Sequence, residues 1–495
     1  MRLSNATLSH LPATVEKPDY DRTAVTPGIV HLGVGAFHRA HQAVCTDDVL
    51  VRDPAWGIVA ASLRSPDTRD ALGPQDGLYT LATRSGEGER LRVIGSILEL
   101  LVPAESPLQT TLLLDAMADP RVAIVSLTVT EKGYCHDPAT GVLNEEHPEI
   151  RHDLAHPERP RTAPGLIVAA LARRRAEGLH PFTVLTCDNL PSNGTVVKRV
   201  IDRFAALRDR DLGAWVAGEV VCPSTMVDRI TPATTDADRA AIAAALGMED
   251  AWPVVTEPFS QWVIEDRFPD GRPMWETGGA QFVADVAPYE LMKLRLLNGA
   301  HSSLSYLGYL AGYETVAETM ADPAFARFVP ALMQEAAATV APHMPAGTDL
   351  GSYQAALVTR FRNPALKHRT WQICMDGSQK LPQRLLGSIA DLIAAGRPFP
   401  HLALGVAGWM RYVTAIDEQG RPIDVRDPMA AELKRIADAA GPDPDRLARD
   451  LAGVRAIFGD DLPRDPRFLD PVTAALRRLY AVGARRAVEE TGPTA

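Results

Sequence analysis

The chain is short of cysteine, of basic charge and of long apolar runs, and each shortage excludes something. Its five cysteines in 495 residues, Cys45, Cys135, Cys187, Cys222 and Cys374, are odd in number and widely spaced, with no Cys-x-x-Cys pair and no His partner at zinc-ligand spacing. They are expected to be reduced and mostly buried, and no metal site is expected. Acidic residues outnumber basic ones, 62 to 51, leaving a formal charge of −11. That sign opposes attraction to nucleic acid or to an anionic membrane. No stretch approaches the ~20 apolar residues of a membrane span, and the opening MRLSNATLSHLPATVEKPDY lacks the basic-then-apolar pattern of a signal peptide. The expectation is a cytoplasmic protein acting on a small molecule, with neither nucleic acid nor membrane as partner. Its charge favours solubility without deciding between a monomer and a small homo-oligomer.

What the chain does have is apolar residues, 46%, enough for two cores, and a length beyond the size at which one core stops growing. GIVHLGVGAFHRAHQA is a β-branched run ending in Gly33 and Gly35, followed by a segment that can start a helix. Similar units follow in WGIVAASL, RVAIVSLTVTEKG and PFTVLTCDNLPSNG, separated by helical stretches such as PGLIVAALARRRAEG. Continuous apolar strands alternating with helices predict a parallel sheet covered on both faces. A Rossmann-type domain is expected over 1–287. From Pro288 onward the texture becomes long helical patterns with Pro and Gly punctuation, so a mostly α-helical domain is expected over 288–495. The fold class is α/β, with a helical second half. RHDLAHPERPRTAPG reads as a surface loop, and no repeat at solenoid periods is present.

Gly33 and Gly35 at a strand-to-helix turn would let a pyrophosphate approach the backbone. The third glycine of that fingerprint is missing, with His38 and Arg39 standing near its place, and a simple tight turn explains a Gly-x-Gly about equally often. After the second strand, Asp67 in LRSPDTRD lies farther from the glycines than the ~20 residues typical of a ribose-binding acid. An acid there would bond the adenosine 2′-OH and repel a 2′-phosphate, favouring NAD over NADP; nearby Arg64 weakens that preference, and a solvated turn residue is the competing role. TCDNLPSNG puts Asp188, Asn189 and Asn193 just past a strand's carboxyl end, where open α/β sheets bind ligands. Such residues also make ordinary turns. In MVDRITP the Asp228–Arg229 pair is more often a structural ion pair than a catalytic one.

The segment YELMKLRLLNGAH gathers Lys293, Asn298 and His301 on a helix that otherwise suits burial. At 100° per residue, with Lys293 at zero, Glu290 falls at about 60°, His301 at about 80° and Asn298 at about 140°. A lysine desolvated on that half-apolar side would have its pKa lowered, as a general base near neutral pH requires. Gly299 would let a substrate or another backbone come close. Glu290, one turn before Lys293, is placed to relay its proton to water.

GVGAFHRAHQA, SLTVTEKGYC, FTVLTCDNLPSNG, MVDRITP, EPFSQWVIEDRF, YELMKLRLLNGAHS and MDGSQKLPQRLL together resemble the long-chain mannitol dehydrogenase family, which includes mannitol 2-dehydrogenase and fructuronate reductase. The resemblance runs from about Gly28 to the last helix. It implies a Rossmann-type N-terminal domain binding NAD, a largely helical C-terminal domain and no zinc. It implies a lysine base at Lys293, oxyanion-stabilising asparagines at Asn189 and Asn298, a substrate histidine at His301 and a site aspartate at Asp228. The cofactor-binding set is expected to be Gly33, Gly35, Phe37, His38, Arg39, Arg64, Asp67 and Thr130.

Where mannitol dehydrogenases usually carry an arginine before DGS, this chain has Gln372, and His368–Leu386 is more similar to fructuronate reductases. Lys380 matches a family substrate-binding lysine. Arg369 and Arg384 are additional cations suited to a carboxylate, a surface ion pair being the commoner role for either. D-Mannonate and D-fructuronate are therefore the expected pair, with D-mannitol and D-fructose as the alternative, towards which the N-terminal third leans. A protein that merely senses NAD(H) is the non-enzymatic alternative, and it would not need Lys293, Asn298 and His301. Tyr289 and Lys293 fit the Tyr-x-x-x-Lys of short-chain dehydrogenases by spacing, but they follow the sheet domain, which is the wrong context.

Overall fold

Four short runs, each buried almost end to end, build the centre of the first half of the chain. The computed structural model describes residues 1–137 and 140–491. In chain order the strands are β1 (Pro27–Leu32), β2 (Gly57–Ala61), β3 (Tyr79–Ser85), β4 (Gly88–Ile94), β5 (Ile97–Leu101), β6 (Ile124–Leu127), β7 (Thr183–Thr186), β8 (Thr225–Asp228), β9 (Val254–Thr256), β10 (Gln261–Glu265) and β11 (Gln281–Val283). The main sheet has the order β5-β2-β1-β6-β7 and every pairing in it is parallel. Ile29 lies opposite Ile124, and Leu32 opposite Leu127.

Both faces of this sheet are covered, which is why its strands read as unbroken apolar runs. Val30 and Leu32 join a core with Leu113, Leu166, Val197 and Phe204. Ile29 and Ile58 point the other way, into a core with Tyr79, Trp262 and Trp275. Chain order reverses between β1 and β6, so a crevice is expected at their carboxyl ends.

Two smaller sheets complete this half, β4-β3-β9 and β11-β10-β8. Neither was expected from the sequence. β3 and β4 form an antiparallel hairpin whose outer residues are Arg84, Glu89, Arg90 and Arg92. That half-exposed, charged alternation lacks the apolar continuity that marks the central strands.

The chain divides at Val286/Ala287, and among the described residues the second unit contains helices and only isolated bridges. Helix Gly299–Leu310 is buried along nearly its whole length. It packs on helix Pro400–Tyr412 at small residues: a side chain on Gly405 would meet Ser303 Oγ, and one on Gly408 would lie 2.9 Å from Leu307 Cδ2. The last two described helices, Pro466–Val482 and Ala484–Glu490, are separated where Gly483 takes a positive φ of 78°.

Candidate active site

At the end of β1 the backbone turns sharply at Gly33, whose φ of +97° would strain any residue with a side chain. A Cβ there would also collide with the Thr128 carbonyl. Gly35 is exposed, and a Cβ on it would meet nothing nearer than 3.8 Å. Beneath the turn, His31 holds Ser126 Oγ at 2.8 Å and Thr128 Oγ1 at 2.9 Å, and Thr128 donates to the Gly33 carbonyl at 2.7 Å. The glycine turn is thus tied to β6.

A groove of about 1200 Å³ opens beside it, lined by Gly33, Gly35, Arg64 and Thr130 from the expected set. Its other wall carries His147, His152, His156, Arg159 and Arg161. This wall corrects the surface-loop reading: part of the segment is helix Pro148–Ala155. The buried Asp153 carboxylate accepts from Arg161 N and Thr162 N at 2.9 Å each and from Thr162 Oγ1 at 2.7 Å, folding the chain back. Its Pro, Arg and His content was visible, but composition does not reveal which way a segment faces.

His38 and Arg39 do not reach this groove. The first helix after the glycines is only Ala36–Ala40, and its inner side buries both residues, 1% and 2% exposed. The His38 ring stacks on His31 with centroids 3.4 Å apart, and its Nδ1 pairs with Gln42 Oε1 at 2.9 Å. Burial pushes this imidazole down to about 3. Arg39 donates to the Trp252 carbonyl and lies over the Tyr79 ring at 5.3 Å. Burial lowers its guanidinium to about 10. Phe37 stacks on His41 at 5.0 Å and Asp67 opens helix Asp67–Leu72, exposed; neither lines the groove.

Across the ends of β6 and β7, Asp188 accepts from Val129 N at 3.0 Å, Thr130 N at 2.8 Å and Tyr134 Oη at 2.6 Å. Burial raises its pKa, and these three donors oppose the rise. Thr130 sits at φ 67°, ψ 163°, a costly conformation for a β-branched residue. Asn193 is structural. Its amide donates to the Asp188 and Thr225 carbonyls at 3.0 and 2.9 Å and accepts from Thr225 N at 2.9 Å, locking the β7 turn to β8. Asn189, exposed, and Asp228, buried, lie just past the end of β7 and at the end of β8. Arg229 donates to the Ala40 and Glu257 carbonyls.

In the helical unit the regular α-helix assumed for Lys293 is interrupted. Residues Ala287–Met292 are α, Lys293–Asn298 form a π turn, and α resumes at Gly299. A π turn bonds residues five apart, so Lys293 and Asn298 become successive neighbours along one side, where α geometry would splay them by about 140°. The steps Glu290, Lys293, Asn298, His301 are then three, five and three residues, one broad face across α, π and α. Lys293 and Glu290 are half-buried, Asn298 and His301 buried.

A second π turn, Pro382–Leu386, packs on the first. A Cβ on Gly299 would lie 2.7 Å from the Arg384 carbonyl oxygen. Of the two roles open to Gly299, the close approach is that of another backbone. Arg384 is half-buried and donates to Ser302 Oγ at 2.9 Å, so it is no surface ion pair. Burial brings its guanidinium down to about 10. Lys380 donates to the carbonyls of Met375 and Ile373 at 2.5 and 3.4 Å. Burial, then His368, Arg384, Arg360 and Lys380, hold the His301 imidazole well below the ordinary histidine range. Arg369 and Gln372 are exposed, and Arg369 is engaged through its backbone, in a bridge to Thr315. His368 and Arg360 are not among the site residues expected from sequence; His368 adjoins Arg369, Arg360 adjoins no expected residue, and only packing brings them to His301.

A glycine-turn groove on a parallel sheet and a helix carrying lysine, asparagine and histidine on one face define the class: the chain belongs to the mannitol dehydrogenase family and is an oxidoreductase. The family's Rossmann domain matches residues 27–277 and its C-terminal domain residues 285–480. Among particular relatives, the D-mannonate oxidoreductase of Escherichia coli is 50% identical over 485 residues, 97% of this chain and 98% of that one. The mannitol 2-dehydrogenase of Aspergillus fumigatus is 43% identical over 497 residues, 98% and 97% of the two chains. A solved mannitol 2-dehydrogenase of Pseudomonas fluorescens, in ternary complex with NAD and D-mannitol, matches with a TM-score of 0.83 and 42% identity over 99% of each chain.

Proposed function

We propose that this protein interconverts D-mannonate and D-fructuronate with NAD, using Lys293 as general acid and base. The observation that carries the substrate class is the set of cations around His301, namely Arg360, Lys380 and Arg384, which suits a sugar bearing a carboxylate. The greater identity to a D-mannonate oxidoreductase than to mannitol 2-dehydrogenases, 50% against 43–44%, supports the same reading. Likeness to those mannitol enzymes favours D-mannitol and D-fructose as the second reading.

The residues at the groove fit a dinucleotide. Gly33 gives the turn that only glycine makes easily, and the open space over Gly35 leaves room for phosphate oxygens against the backbone. Arg64 and Thr130 line the same groove, whereas Asp67 stands off its lining and is given no part in it. When bound, the nicotinamide serves as acceptor for the hydride of the carbinol carbon.

The rest is done by side chains of the chain itself. Neutral Lys293 takes the proton of the reacting hydroxyl, and Glu290 passes it to water. The amide of Asn298, on the face that carries Lys293, donates to the same oxygen as it gains charge, a role that the family resemblance also implies for Asn189. His301 orients the substrate, with Lys380, and the family resemblance implies a substrate role for Asp228 as well. Reduction runs the steps backwards from protonated Lys293.

The pH dependence of D-mannonate oxidation tests these roles. In the wild type kcat should fall as pH drops through the lysine pKa. Lys293→Ala should lose that limb and at least about 100-fold in kcat, while NADH binding, read by fluorescence, persists. Glu290→Gln should lower kcat more than it raises KM. Full activity in Lys293→Ala contradicts the base assignment, and an unchanged pH–rate profile in Glu290→Gln contradicts the relay.

A further inference from the structure

Two ring nitrogens of the helical unit are buried without a hydrogen-bond partner, Nε2 of His301 and Nδ1 of His368. The rings meet edge to face, centroids 4.8 Å apart, and Phe361 stacks on His301 at 5.0 Å, fixing its plane. His301 itself is only 9% exposed. Buried nitrogens left unpaired cost free energy, so two together at the end of a reactive helix face mark a place where a ligand supplies the missing partner.

The charge around the pair identifies the ligand. Burial first, and then His368, Arg384, Arg360 and Lys380, disfavour the protonated His301 ring. Burial and then Arg360 act on His368 in the same sense, bringing it to about 4. The charged side chains that act most on the two rings, Arg384, Arg360 and Lys380, are cations. Arg384 is held in place by Ser302, the residue after His301. Neutral ring nitrogens that can donate, set in a positive field, are complementary to a carboxylate.

We propose that His301 and His368 together bind the substrate carboxylate, under the field of Arg360, Lys380 and Arg384, and that His368 separates a hexuronate from the corresponding ketose. This assignment rests on the sugar-acid reading above and names the residue that enforces it. His301 lies three residues beyond Asn298 on the reactive face, so a carboxylate gripped there directs the rest of the carbon chain back towards Asn298 and Lys293.

The test compares wild type, His368→Phe and His368→Asn. Phe keeps the ring packing and removes the donor; Asn restores a donor near the Nδ1 position. His368→Phe should lower the ratio of kcat/KM for D-fructuronate over D-fructose by at least about tenfold, the loss expected for one hydrogen bond to a charged group, mostly through KM. His368→Asn should recover most of that ratio. A ratio unchanged in His368→Phe, or one that His368→Asn fails to recover, overturns the assignment. D-Gluconate, an aldonate probe, separates this failure from failure of the substrate reading. It should inhibit the wild type competitively against whichever ketose is reduced, and His368→Phe should relieve the inhibition at least about tenfold. Inhibition that persists undiminished in His368→Phe overturns the carboxylate role even if the wild type prefers D-fructuronate. Relief of inhibition upholds the role even if the wild type prefers D-fructose.

Discussion

Thr130 and Asp188 show how much a single residue can do without touching a substrate. Thr130 is kept at a positive φ by a carboxylate that collects three donors from the segment following β6. Asp188→Asn replaces one acceptor oxygen with an N–H that faces a donor, so the turn should relax. The expected outcome is a KM for NADH raised about tenfold and a Tm lowered by a few degrees, read by steady-state kinetics and thermal denaturation. An unchanged KM for NADH would show that the strained turn does not shape the groove. Residues of this kind were only half legible. Asp188 was placed correctly past a strand end, but its partners follow another strand. The expectation that His38 and Arg39 meet the cofactor failed because a five-residue helix takes its facing from distant partners. Arg39 is held by Trp252, 213 residues away, and His38 by the ring of His31 on β1.

At the scale of elements, the parallel strands were legible because burial on both faces writes itself as continuous apolar sequence. The β3–β4 hairpin, exposed on one side, left no such mark. The π turn was invisible for a different reason: a 3.6-residue period fits the flanking α segments, and one extra residue in a turn changes phase without changing composition. Yet that turn sets Asn298 in line with Lys293, and Gly299 lets it pack against the second π turn. Gly299→Ala places a methyl 2.7 Å from the Arg384 carbonyl oxygen, backbone that cannot swing aside. The expected cost is about 1–3 kcal/mol of stability, measured by denaturant unfolding, together with a lower kcat. Wild-type stability and kcat in this variant would mean that the two π turns do not depend on their close approach.

At the scale of the whole molecule, both units bury neutral histidines, and this sets the response to acid. Burial holds His38 at about 3 and His368 at about 4, and holds His31 and His301 well below the ordinary range. A histidine whose folded pKa is depressed contributes stability above its unfolded value of about 6.5, and that stability is lost as pH falls towards the folded value. Tm should therefore be level above about pH 6.5 and fall between there and about pH 4, with a shallower fall in His38→Gln; equal slopes would remove His38 from the account. Family membership was legible along nearly the whole chain, because its motifs lie where side chains meet backbone turns and helix faces. The substrate was less so, since its recognition depends on residues that only packing gathers around His301. The most direct test of the central claim is NADH oxidation with D-fructuronate and D-fructose, side by side, in the wild type and Lys293→Ala. A kcat/KM far higher for D-fructuronate, abolished in Lys293→Ala, is the predicted result; a preference for D-fructose, or full activity without Lys293, would contradict it.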